Sequence, residues 1–181
     1  MRLYKEPAMQ RRRLLFATAA VLALSACSTV QRSSRPTLQP NAVWAVAPFA
    51  NHTETPMAGR RAQSIVAEWL AAAVSPSVVT PPVEWLDESL FEKGQLRSTP
   101  ELLQWAKSAG ARYLVIGQVS EWRYKVGVDG EPAVGLALTV LDVGSGQRVY
   151  SAVGGKSGFS RESLAGVAQK LVRELLGPLA P

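Results

Sequence analysis

Cysteine and histidine are almost missing from this chain: among 181 residues there is one of each, Cys27 and His52. A lone thiol closes no internal disulfide, and His52, in a polar stretch with no second histidine or neighbouring cysteine, offers no zinc site. It reads as a solvated loop residue. Nor does the chain contain a nucleophile elbow, a histidine and acid constellation, or paired carboxylates in apolar surroundings, so no enzyme is expected. Gly155, Lys156 and Ser157 imitate the end of a phosphate-binding loop. That motif needs a glycine where this chain has Tyr150, and Gly158 and Phe159 follow where a helix should run. No cofactor is expected.

An apolar run long enough to cross a bilayer is also lacking. The longest stretch, Leu14 to Leu24, is about eleven residues, whereas a spanning helix needs about twenty. Most of the excess of positive charge lies at the same end of the chain. Arg2, Lys5, Arg11, Arg12, Arg13 and Glu6 all precede Cys27, so 15 basic residues face 13 acidic ones beyond it, a net +2. The basic pI therefore carries no argument for a nucleic-acid partner.

What is present begins with those arginines, the short apolar run, and then Ser25, Ala26 and Cys27. This is the order of a cleaved export signal. Leu24, Ser25, Ala26 and Cys27 resemble a lipobox, in which small residues admit a peptidase and the thiol accepts a diacylglycerol. Residues 1–26 are expected to be a lipoprotein signal peptide, with Met9 an alternative start. Cys27 is then the lipid anchor, leaving no free thiol. Ser28 follows it where an aspartate commonly retains lipoproteins in the inner membrane, which favours the periplasmic side of the outer membrane. Residues 27–41, rich in Ser, Gln, Arg and Pro without apolar periodicity, read as a lipidated cysteine and flexible tether. Residues 42–181 have the length of a single domain.

Within that domain the pattern alternates between strand and helix periods. Val43 to Ala47 is a buried strand, and residues 57–74, with Ile65, Trp69 and Ala73 four apart, form an amphipathic helix. Val78 and Val79 make a short strand, and Glu84 to Phe91 a short helix or irregular segment. Thr99, Pro100 and Glu101 signal a helix start, with Gly110 after its end. Strands follow at Arg112 to Lys125, Ala133 to Val143 and Arg148 to Val153, the second placing Val134, Leu136, Leu138 and Val140 on one face and Ala133, Gly135, Ala137 and Thr139 on the other. A last helix runs from Ser160 to about Leu176, stopped by Gly177 and Pro178. The order β-α-β-α-β-β-β-α predicts an α/β (α+β) domain: a mixed sheet with a C-terminal antiparallel meander, covered by helices. Trp44, Trp69 and Trp105 are expected in the core, while Trp85 and Trp122 are left for interfaces or sugar stacking.

The segments Glu121-Trp-Arg-Tyr-Lys125, Val128-Asp-Gly-Glu-Pro-Ala-Val-Gly135 and Gly158-Phe-Ser-Arg-Glu-Ser163 resemble the PelC family. These are small outer-membrane lipoproteins of Pel exopolysaccharide export, placed with the wider CsgG and LpoB group of periplasmic lipoproteins. The resemblance covers most of the domain. It implies a dodecameric ring on the periplasmic face of the outer membrane, below the export porin PelB, guiding a cationic amino-sugar polymer without catalysis. In that family an acidic hairpin position lines a funnel, and it falls here on Asp129, with Glu131 adjacent. A ring of carboxylates would gather and steer a polycation by its summed field. Read without the family, Asp129 and Gly130 supply a tight turn, and the two roles are compatible.

The family also carries an aromatic in the Gly158, Phe159, Ser160 loop, often tryptophan, and the resemblance implies that Phe159 touches the membrane, with Lys156 and Arg161 beside it meeting headgroups. On the residues alone, Phe159 is equally a hydrophobic staple ahead of a Ser160 cap. Two other roles stay open. An LpoB-like regulator of a cell-wall synthase would want a longer tether than residues 28–41, and a CsgG-like secretion pore would need a spare pair of spanning strands.

Overall fold

In a computed structural model, residues 28–82, 85, 97–126, 130–159 and 161–181 are described. Ser28–Arg32 (β1), Trp44–Val46 (β2), Ala50–Asn51 (β3), Val78–Val79 (β4), Tyr113–Tyr124 (β5), Pro132–Asp142 (β6) and Arg148–Ser157 (β7) form one seven-stranded sheet. Its order is β1-β7-β6-β5-β2-β4, with β3 also pairing β5. The β5-β6-β7-β1 side is antiparallel, while β2 runs parallel to both β5 and β4 and β3 runs parallel to β5. Among the described residues three α-helices complete it: Ala58–Ala73 (α1), Thr99–Ser108 (α2) and Leu164–Leu176 (α3). The mixed α+β architecture with a C-terminal meander is the one expected from the sequence.

The core lies between one sheet face and α1 with α3. Val134, Leu136, Leu138 and Val140 alternate along β6, and their large face meets Ala62, Val66 and Leu70 of α1 and Val167, Leu171 and Leu175 of α3, all buried. Among the described residues the opposite face is covered only in part. There α2 lays Leu102 and Ala106 over Ala45, Ala47, Leu114 and Leu141, a second and smaller apolar cluster. Gly117 lets Phe49 cross the sheet: a Cβ there would stand 2.9 Å from both Phe49 and Leu138.

Several sequence expectations need correction. Residues 28–41 are not a free tether throughout, because Ser28–Arg32 pairs along β7 from Ser28↔Lys156 to Arg32↔Ala152. The cap of α2 is Ser98 rather than Thr99, with Glu101 accepting from the Ser98 backbone N–H at 2.8 Å. Helix α3 begins four residues late, capped by Ser163, whose hydroxyl accepts from the Gly166 N–H. Strand β7 runs on to Ser157, so Gly155, Lys156 and Ser157 sit in an extended ladder. Trp122 is 2 % exposed and belongs to the core. A bulge between Val119 and Glu121 shifts the alternation by one residue and turns Trp122 inward. Trp44 is buried as expected, whereas Trp69 and Trp105 are only half-buried. Half-buried Trp85 lies 5.7 Å from Trp105, under the Arg97 guanidinium at 3.9 Å. Apart from Trp85, the Glu84 to Phe91 segment lies outside the described residues, as do Cys27, Asp129 and Ser160.

Candidate functional site at one end of the sheet

The antiparallel ladder brings four chain segments to one end of the sheet. Tyr124 at the end of β5 faces Pro132 at the start of β6, Ala133 faces Ser157 at the end of β7, and Ser28 at the start of β1 faces Lys156. The ladder continues one step past Tyr124, where the Lys125 N–H donates to the Glu131 carbonyl at 2.7 Å. Gly130 has φ +53°, a left-handed conformation that glycine adopts at little cost in a turn. Exposed Glu131 lies 3.8 Å from the Lys125 ammonium, which also donates to Ser157 Oγ at 2.6 Å. Thus one of the two expected acidic residues stands at the hairpin end, open to solvent.

The β7–α3 loop lies at the same end. Gly158 is required there, since a Cβ would come within 2.5 Å of Val167 Cγ2. Phe159 is 73 % exposed, which does not fit a staple packed on α3. Its N–H donates to Glu162, which also takes the Lys170 ammonium, and the Lys170 bond foremost holds the Glu162 carboxyl below the usual carboxylate range. Arg161 is exposed beside it. With Tyr124 and Val126, 51 % and 100 % exposed, Phe159 gives this end apolar groups among Arg123, Lys125 and Arg161.

Lys156 is not in that loop. From β7 it reaches α3 and binds Glu174 at 2.7 Å, with its side chain 18 % exposed. The Ser28 hydroxyl donates to the other Glu174 oxygen at 2.5 Å, and Arg32 donates to the Glu174 backbone carbonyl at 2.6 Å. Partial burial raises the Glu174 pKa, but the bonds from Lys156 and Ser28 outweigh it, and the net displacement is downward. Glu174 therefore ties β1, β7 and α3 together at the residue following Cys27. Sequence reasoning missed this clamp. Its one signal was the β-branched pair Thr29 and Val30 in an otherwise polar stretch.

His52 is exposed, its backbone N–H bonded to the Val119 carbonyl at 2.9 Å. No described helix is long and apolar enough to cross a membrane.

No family model matches the chain, and no curated protein matches it. Solved structures do. A fold of this class, with helices over a mixed sheet, is shared with lipoprotein GNA1162 from Neisseria meningitidis at 15% identity and a TM-score of 0.52, over 74% of this chain and 94% of that one. At that identity the likeness concerns the fold alone. A PelC dodecamer from Paraburkholderia phytofirmans is 40% identical with a TM-score of 0.72, over 84% of this chain and 97% of that one. A single-substitution variant of it, also a dodecamer, is 40% identical with a TM-score of 0.70, over 84% of this chain and 99% of that one. The chain belongs to the PelC family.

Proposed function

We propose that the mature protein is anchored through Cys27 to the periplasmic side of the outer membrane and assembles into a twelve-membered ring. The ring guides a cationic amino-sugar exopolysaccharide toward its export porin, PelB, without catalysing a reaction. The observation that carries this reading is the 40% identity to a chain that forms a dodecamer, extending over 97% of that chain. The hairpin end supports it: Glu131 is exposed there, and Asp129 is one residue before the turn glycine Gly130. Repeated around a ring, two carboxylates per subunit would sum to a field that draws in a polycation while each single contact stays weak and screened. Phe159 and Arg161, both exposed at the same sheet end as Ser28, are the groups that would meet lipid.

The test is Asp129→Lys in the full lipidated chain, with polymer export and ring mass read together. The expected result is an intact ring with export reduced several-fold, more so at low ionic strength. Undiminished export through a charge-reversed ring would overturn the funnel, and a wild-type monomer in detergent would overturn the ring.

A further inference from the structure

Phe159 keeps 73 % of its surface exposed although two buried apolar residues, Val167 and Pro132, lie against the glycine that precedes it. A slack loop would fold such a ring back onto apolar neighbours. Gly158 closes that route. Its N–H donates to the Pro132 carbonyl at 2.8 Å, and it packs so tightly that an added Cβ would stand 2.5 Å from Val167 Cγ2 and 3.0 Å from Pro132 Cγ. The backbone itself takes up the space a returning ring would need.

Both backbone polar groups of Phe159 are engaged by one residue. The Phe159 N–H donates to Glu162 Oε2 at 3.2 Å, and the Phe159 carbonyl accepts from the Glu162 N–H at 2.9 Å, which closes a tight turn. The other oxygen of half-buried Glu162 takes the ammonium of Lys170 from within α3. The carboxylate is thus paired where it stands. Capping of α3 is a separate device, because Ser163 performs it by accepting from the Gly166 N–H at 3.0 Å.

In water the solvent would satisfy these groups. At a phospholipid surface it is displaced, and each backbone N–H and C=O then needs a partner within the protein. An unpaired carboxylate would also be repelled by anionic headgroups. Resting on the membrane reading of Phe159 above, we propose that Glu162, braced by Lys170 and aided by Gly158, is a positioning residue that holds the Phe159 ring clear of the domain with its backbone already satisfied, ready to enter a phospholipid leaflet. A loop ordered before contact has little left to lose on insertion.

The experiment uses the full lipidated chain in vesicles of phosphatidylethanolamine and phosphatidylglycerol, prepared in parallel with and without bromine on the acyl chains. Phe159→Trp supplies the reporter, its emission taken as the difference from the chain that keeps Phe159. The new indole is expected to be quenched by the brominated lipid. On that background Glu162→Ala is expected to lower the quenching several-fold, whereas Glu162→Gln, whose amide oxygen still accepts the N–H of position 159, keeps most of it. Ser163→Ala removes the helix cap but leaves the turn alone, and it is expected to keep the quenching in full. Undiminished quenching in Glu162→Ala overturns the proposal. So does a loss in Glu162→Gln or Ser163→Ala as large as that in Glu162→Ala, since the effect would then come from general loosening of the loop. An unquenched indole with Glu162 in place removes instead the membrane reading on which the proposal rests.

Discussion

Gly154→Ala separates the clamp on β1 from the rest of the fold. Gly154 lies on the helix-facing side of β7, opposite Val30, and a Cβ built there would stand 2.6 Å from the Thr29 carbonyl oxygen, 3.0 Å from Val30 Cγ2 and 3.3 Å from Leu175 Cδ2. The first neighbour is backbone and cannot rotate away. Restoring ordinary contact at 3.4 Å requires the Thr29 carbonyl to retreat by 0.8 Å. Overpacking of this kind costs about 1–3 kcal/mol. In a domain of this length each kcal/mol lowers Tm by roughly 2–4 °C. The expected outcome is a lower urea midpoint with little change in slope, and faster amide exchange confined to residues 28–33 and their β7 partners. Wild-type protection of the Thr29 and Gln31 amides, together with an unchanged midpoint, would refute the close approach from which the cost is reasoned.

Two further outcomes follow from side chains that the sequence did not single out. The Glu174 pKa is depressed in the folded protein, so its contribution to stability is fully present above the unfolded value near 4.5 and is lost as pH falls through the lower folded value. Glu174→Gln is expected to flatten the acid limb of stability below about pH 4.5 and to loosen Ser28 at neutral pH, measured by urea titration across pH; an unaltered acid limb would remove Glu174 from that role. Trp122 is 2 % exposed, and its indole N–H has no partner among the described residues. Trp122→Ala should cost roughly 3–5 kcal/mol, whereas Trp122→Phe, which keeps a ring and deletes an unsatisfied donor, should cost less than half as much. Equal losses in the two urea midpoints would contradict that difference.

Periodicity made the meander and the helix faces legible, because residues such as Val134 to Val140 and Val167 to Leu175 obey a single local rule over many positions. What escaped reading depends on partners distant in sequence. Gly154 and Gly155 look like a loop in isolation, yet Gly154 is the position where β1 crosses closest, so glycine marks strand contact rather than strand end. The same missing partner hid β1 itself: its residues are polar because it lies at the sheet edge, with only Val30 packed on the core. Trp122 was left for interfaces or sugar stacking, and the bulge that turns it inward has no signature in the local pattern. At the candidate site Phe159 and Glu131 are exposed, whereas Lys156 is not in the loop, because β7 outlasts its apolar residues and carries the lysine into the clamp on Glu174.

That clamp bears on how the proposed ring would meet a membrane. A flexible tether of residues 28–41 would let the domain tumble beneath its lipid. With Ser28 paired to Lys156 and bonded to Glu174, the chain is fixed within one residue of Cys27, a span of only about 3.5 Å. On the proposed anchoring, the sheet end bearing Ser28 must then face the bilayer. The same end holds the β5–β6 hairpin and Phe159, so orientation becomes a property of the strand ladder rather than of any single membrane contact. Subunits joined side by side would all point their hairpins the same way. Their acidic residues would form one level of charge instead of a scattered surface, which is the geometry a guiding field needs.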